Sequence, residues 1–128
     1  MWTLKYEQQL NISHFLCLDY DSIDTKAHGH ILTVDIELYS TRLNPNNMVI
    51  DTNELKNILD KLDHNSINEY MRVNNIRGNA TLENIILIIK TKTLMLLTQV
   101  NENYNMDIQI VSISIKDETN RQVIYDMQ

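Results

Sequence analysis

Three of the four histidines stand where strand geometry would gather them. His28 and His30 belong to an alternating stretch, residues 28 to 39. One parity carries His28, His30, Leu32, Val34, Ile36 and Leu38, and the other carries Thr33, Asp35 and Glu37. Side chains two apart on a strand leave the same face, roughly 7 Å apart at the usual rise. His14 ends an earlier alternating stretch, on the parity of Trp2, Leu4, Tyr6, Gln8, Leu10 and Ile12. A hairpin across the polar loop between Phe15 and Ala27 would bring all three rings together on one apolar face. Three neutral imidazoles without a fourth protein ligand make a zinc site of the catalytic kind, with one position open. The competing reading is that each ring is a hydrogen-bonded core histidine.

The fourth histidine follows an acid, in Leu62-Asp63-His64-Asn65. Such a pair could move protons, or it could simply close a helix, with His64 complementing the dipole. Cys17 is the sole cysteine, which excludes an intramolecular disulfide and a thiolate-rich zinc knuckle. Its commoner fate is a small buried hydrophobe. Gly29 and Gly78 stand alone, so there is no glycine-rich phosphate loop.

The elements that must position these groups read as strand, strand, helix, helix, strand, strand. Asp51 as N-cap and Glu54 three residues on open the first helix, followed by Leu55, Ile58, Leu59 and Leu62 at helical spacing. A second helix starts at Thr81-Leu82-Glu83-Asn84 and runs towards Val100. Ile108 and Ile110 share one parity while Val111, Ile113 and Ile115 share the other, which suggests a bulge. A turn near Asn120 and a strand over Val123 to Tyr125 follow. The expectation is an α+β fold over residues 1–128 as one domain, with a four-stranded antiparallel sheet and two helices on one face. Open sheet edges favour closure between subunits, and so a homo-oligomer rather than a monomer protected by Lys5, Glu7 and Lys116.

The chain has 128 residues, 11 basic and 17 acidic, with a net charge of −6. That balance gives no general attraction to nucleic acid. No basic region precedes an apolar stretch at the N-terminus, and Lys90 and Lys92 interrupt the apolar run Ile85 to Leu97. The expectation is a cytoplasmic protein with no membrane contact.

In order, His14, His28-Gly29-His30, Met48-Val49-Ile50-Asp51, Leu62-Asp63-His64-Asn65-Ser66-Ile67-Asn68, Asn79-Ala80-Thr81-Leu82-Glu83-Asn84 and Asp117-Glu118-Thr119 cover nearly the whole chain. This set resembles the 6-pyruvoyltetrahydropterin synthase family, and within it the 6-carboxytetrahydropterin synthases of queuosine biosynthesis. The resemblance implies the tunnelling fold, trimers or hexamers with active sites between subunits, and zinc on His14, His28 and His30. It implies a lyase acting on dihydroneopterin triphosphate, in which the metal acidifies a C–H beside the ring. Asp63 and His64 match the family's proton-moving pair. Thr81 and Glu83 match residues that line the pterin pocket. An acid near the last hairpin would grip the pterin nitrogens. The Glu-Thr dipeptide points to Glu118, and strand parity points to Asp117.

The sequence departs from the pattern at the family's catalytic cysteine, four residues before the first histidine of HGH. That position is Asp24. Cys17 lies three residues after His14, on the other side of the loop. Ala80 stands for the usual proline and Asn47 for the usual glycine. A carboxylate base resembles the branch in which glutamate replaces cysteine and the side chain is cleaved to 6-hydroxymethyl-dihydropterin. A catalytically silent pterin-binding homologue is the third reading.

Overall fold

The computed structural model describes residues 1–127. Two long strands, β1 (Trp2–His14) and β2 (His28–Ser40), pair antiparallel from Trp2 opposite Ser40 to His14 opposite His28. The loop between them holds a short 3₁₀ turn, Ile23–Thr25. Then come α1 (Thr52–Asp60), β3 (Asn65–Ser66), α2 (Ile67–Val73), α3 (Leu82–Tyr104), β4 (Gln109–Asp117) and β5 (Gln122–Asp126). The sheet order is β3-β1-β2-β4-β5.

The fold is α+β, but the expected four antiparallel strands and two helices need correction. Among the described residues the sheet has five strands and is mixed, because β3 runs parallel to β1, with Ile12 opposite Asn65 and Ser13 opposite Ser66. A polar two-residue strand has no alternation to read. The added helix, α2, is seven residues long and buries only Ile67 and Met71. One i, i+4 pair is too little for a periodic signal.

Elsewhere the local chemistry explains the elements. Asp51 caps α1 by accepting from the Asn53 N–H at 2.9 Å, and Thr81 caps α3 by accepting from the Asn84 N–H at 3.2 Å. Asn105 ends α3 in the left-handed conformation, φ 52°. The parity change in β4 is a bulge at Val111, because Glu37 pairs with Ser112 while Leu38 pairs with Ile110.

The inner sheet face contributes Leu10, Leu32, Val34, Ile36, Leu38, Ile113 and Ile115 to the core, against Leu55, Leu59, Ile85, Ile86 and Ile89 of α1 and α3. Burying each such side chain contributes about 2 kcal/mol. Apolar packing therefore holds the middle of the sheet, and the histidines sit at its end on that same face. Among the described residues no helix is long and apolar enough to cross a membrane.

Candidate metal and ligand site

Antiparallel pairing sets His14 directly opposite His28, and His30 lies two residues further along β2. The ring centroids are 4.6 Å (His14–His28), 5.1 Å (His14–His30) and 4.9 Å (His28–His30) apart. One ring nitrogen from each lies within 4.8 Å of the others.

The hydrogen bonds fix which nitrogen that is. His14 Nδ1 lies 2.6 Å from the Ala80 carbonyl, His28 Nδ1 2.7 Å from the Lys26 carbonyl, and His30 Nδ1 2.8 Å from Glu118 Oε1. Carbonyl and carboxylate oxygens only accept, so each Nδ1 carries a proton, and in the neutral ring each Nε2 then keeps its lone pair. The Nε2 atoms of His14 and His28 are buried without a hydrogen-bond partner. Burial, the largest influence, lowers the His14 pKa below the ordinary value. The Ala80 carbonyl opposes this shift, and the rings of His28 and His30 add to it. Buried lone pairs facing one another are costly unless a cation accepts them. The three residues therefore fit a metal held by neutral imidazoles, each oriented by an oxygen behind it.

Three asparagines of the sequence motifs, to which sequence reasoning gave no role, tie down the backbone around this arrangement. Asn68 holds Phe15 through both its backbone groups at 2.9 Å, and Asn79 holds Cys17 in the same way at 2.7 and 3.1 Å. Asn84 donates to the Asn79 carbonyl at 2.7 Å. Gly78, at φ 111°, has a reason here, since a Cβ would come within 3.0 Å of Asn84 Nδ2. These bonds fix the chain leaving His14 against the turn that presents the Ala80 carbonyl. Thr81 and the exposed Glu83 follow at the start of α3, so both are tied to the His14 side of the site.

Asp24 faces the cluster, its Oδ1 3.7 Å from His28 Nε2. Ser22 caps its turn by accepting from the Asp24 N–H. The Leu16 N–H donates to the Asp24 carbonyl at 2.7 Å, which sets the Cys17 segment beside the same loop. Cys17 is exposed rather than buried. Asp24, Lys26, His28, His30 and Arg121 share a cavity of about 570 Å³.

Asp63 and His64 lie on the β3 side of the sheet. Asp63 Oδ1 accepts from the Asn11 N–H at 2.7 Å, and the His64 N–H donates to the Asn11 carbonyl at 2.6 Å. Their side chains approach to 3.6 Å, with His64 in a left-handed conformation, φ 58°, and largely exposed. This pair does not line the histidine cavity.

The two terminal acids have different partners. Asp117 accepts from the Thr119 N–H and hydroxyl and from the Arg121 N–H and Nε, and its side chain is fully buried. Burial would raise its pKa, but these donors outweigh it and hold the carboxyl at about 2. Glu118 orients His30 and accepts from the Ile31 N–H at 3.1 Å, yet its side chain stays 41% exposed. Burial works to raise its pKa, and bonds from its own N–H, His30 and Ile31 hold it below the ordinary glutamate value. The Glu118–His30 contact, across 88 positions, had no local sequence signal.

A sequence profile described as 6-pyruvoyl tetrahydropterin synthase matches residues 3–127. A protein of Pyrococcus horikoshii named as a candidate 6-carboxy-5,6,7,8-tetrahydropterin synthase is 36% identical over 66 residues, 52% of this chain and 39% of that protein. A Pyrococcus abyssi protein of the same name is 35% identical over 66 residues, again 39% of its length. The matched segment thus spans about two fifths of these curated relatives. Among solved structures, the Caenorhabditis elegans 6-pyruvoyl tetrahydropterin synthase superposes with a TM-score of 0.69 at 18% identity, covering 99% of this chain and 96% of that one. A Plasmodium vivax 6-pyruvoyltetrahydropterin synthase, with a catalytic glutamate replaced by alanine, gives 0.60 at 14% identity and 98% of both chains. At these identities the structural likeness is one of fold.

Proposed function

The chain belongs to the 6-pyruvoyl tetrahydropterin synthase family, and on that premise we propose that it is a zinc-dependent lyase acting on dihydroneopterin triphosphate. The observation that carries this reading is the convergence of three Nε2 lone pairs, each held by an oxygen at its Nδ1. His14, His28 and His30 would hold the zinc. Bound there, zinc supplies Lewis acidity that polarises the side-chain hydroxyls of the substrate.

Asp24 is the base in this reading, because its carboxylate faces the cavity beside His28. Cys17 is the competing base, since the Leu16–Asp24 bond keeps its segment against the same loop. Glu118 is the better pterin anchor. Asp117 spends its acceptors on its own turn, whereas Glu118 keeps exposed acceptor capacity. Two parallel bonds from the pterin amide and amino N–H groups fit such a carboxylate. Thr81 and Glu83 line the pterin side. Asp63 and His64 move protons from a neighbouring subunit, which makes the working form a homo-oligomer, trimer or hexamer. The chain acts as one domain, in the cytoplasm, with a small-molecule substrate and neither nucleic acid nor membrane as partner.

A second reading is favoured by Asp24 itself. The catalytic residue named for the Plasmodium vivax relative is a glutamate, so a carboxylate base suits cleavage of the side chain to 6-hydroxymethyl-dihydropterin. Incubation of zinc-loaded protein with dihydroneopterin triphosphate, followed by mass identification of products, tests both. Release of triphosphate with a 6-carboxy or 6-pyruvoyl product supports the first. A 6-hydroxymethyl product supports the second. No turnover of any reduced pterin leaves a silent binding homologue.

A further inference from the structure

The turn between β4 and β5 carries a cation that none of the roles above uses. Asp117 N–H donates to the Arg121 carbonyl at 2.9 Å, and Asn120 closes the turn at φ 68°. The Arg121 Nε donates to the fully buried Asp117 Oδ2 at 2.8 Å, so the guanidinium is fixed at its base. Its Nη2 reaches 3.4 Å from His30 Nε2, the lone-pair nitrogen that faces the cluster. A guanidinium has five N–H donors. With one on Asp117 and one aimed at His30, the rest have no partner among the described residues. Lys26 lines the same cavity, and among the described residues no carboxylate lies within ion-pair distance of its ammonium. Asp24 is the only acid among the cavity-lining residues.

We propose that Arg121, with Lys26, forms an oxyanion-binding subsite beside the histidine cluster. In the reading above, on which this assignment of the ligand rests, the anion is the phosphate chain of the substrate. The physical reason is local. With a cation on the histidines, Asp117 would hold the guanidinium next to like charge, and an oxyanion on the guanidinium would relieve that repulsion. The chain carries a net charge of −6, so attraction for an anion must come from these fixed donors rather than from a diffuse positive field. Arg suits the role because its planar fork matches phosphate oxygens while Asp117 sets its orientation.

Calorimetric titration with inorganic tripolyphosphate tests this on protein stripped by a chelating resin, so that no metal is present for the phosphate to sequester. Malonate serves as the carboxylate comparison. Dihydroneopterin, which carries no phosphate, is titrated separately into zinc-loaded protein. The expected result is tripolyphosphate binding that weakens with salt and exceeds malonate binding. Arg121→Gln should weaken it about tenfold, the loss of a charge-assisted bond, and Lys26→Gln roughly threefold. Arg121→Lys should restore part of the affinity. Dihydroneopterin affinity should stay within about twofold in all three variants. Lys26 is exposed and ties no turn together through its side chain, so Lys26→Gln decides the matter if Arg121→Gln fails to fold by circular dichroism. Unchanged tripolyphosphate affinity in the folded variants, or none in the unmodified protein, overturns the subsite while dihydroneopterin binding keeps the pterin reading. Preference for malonate overturns the phosphate assignment. Tripolyphosphate binding that needs Arg121, without dihydroneopterin binding, upholds the subsite and sinks the pterin reading instead.

Discussion

Replacing Glu118 by alanine should loosen zinc without touching a zinc ligand. The carboxylate accepts from His30 Nδ1 at 2.8 Å and from the Ile31 N–H at 3.1 Å. Without it, nothing requires the His30 proton to stay on Nδ1, and the ring loses the contact that points Nε2 inwards. Loss of such an orienting partner costs about 10- to 100-fold in metal affinity, or roughly 1.4 to 2.7 kcal/mol. Glu118→Gln keeps an acceptor oxygen for Nδ1 and removes only the charge. Its loss should be smaller, about threefold. Competition against a zinc-binding dye at neutral pH measures both, and since no pterin is present the result is independent of any anchoring role. Zinc binding by Glu118→Ala as tight as that of the unmodified protein would refute the orienting argument. Equal losses in the two variants would show that charge, not tautomer control, is what Glu118 supplies.

Simultaneous replacement of His28 and His30 by alanine should abolish the expected single zinc per chain, read by elemental analysis. The fold should survive by circular dichroism, because the core lies further along the sheet. Asp24→Asn should abolish turnover while Cys17→Ala keeps most of it and the zinc content; the reverse pattern in product assays would move the base to Cys17. Asp117 is depressed from 3.8 to about 2 in the folded protein. It therefore contributes about 2 kcal/mol of stability above its unfolded value, lost as pH falls from 3.8 through about 2. Urea denaturation across that range should show a shallower acid loss in Asp117→Asn than in the unmodified protein, and parallel curves would contradict the ledger of bonds at that turn.

What could be read in the sequence was what is local. Period-two parity put His14, His28 and His30 on one face before any pairing was known, and the bulge announced itself as a parity change at Val111. The capping box at Asp51 marked one helix start, and Thr81 was legible as the start of the other. The rest was hidden because its signal is long-range or too short. β3 offers two polar residues and α2 one buried pair, so neither has a period. Asn68 and Asn79 grip backbone more than fifty positions away, and an asparagine that clamps a distant loop looks in sequence like one facing solvent. Ranking Asp117 against Glu118 as the proposed anchor needs their side-chain partners across a hairpin, which strand parity alone does not supply. In this asparagine-rich chain, identical residue types serve as surface and as scaffold, and only the fold separates them.

The glycine between the two strand histidines has a reason that backbone geometry does not supply. Gly29 lies in regular strand pairing opposite Ser13, and a Cβ there would meet Ile12 O at 3.6 Å, ordinary contact. Neither strain nor crowding requires glycine. Its side-chain direction is opposite to that of His28 and His30. On that outer face Asn11, Gly29, Ile31 and Glu118 line a second groove of about 290 Å³, which His30 also touches. Asn11 in turn is the residue to which Asp63 and His64 are bonded. A side chain at position 29 would stand in this groove, between Glu118 and β1, whose Asn11 backbone holds the turn that carries the Asp-His pair. The glycine thus leaves open the space on one face while its neighbours furnish the nitrogens that face one another on the other. His30, bonded to Glu118 through Nδ1 and facing the cluster through Nε2, is the residue through which the two faces meet.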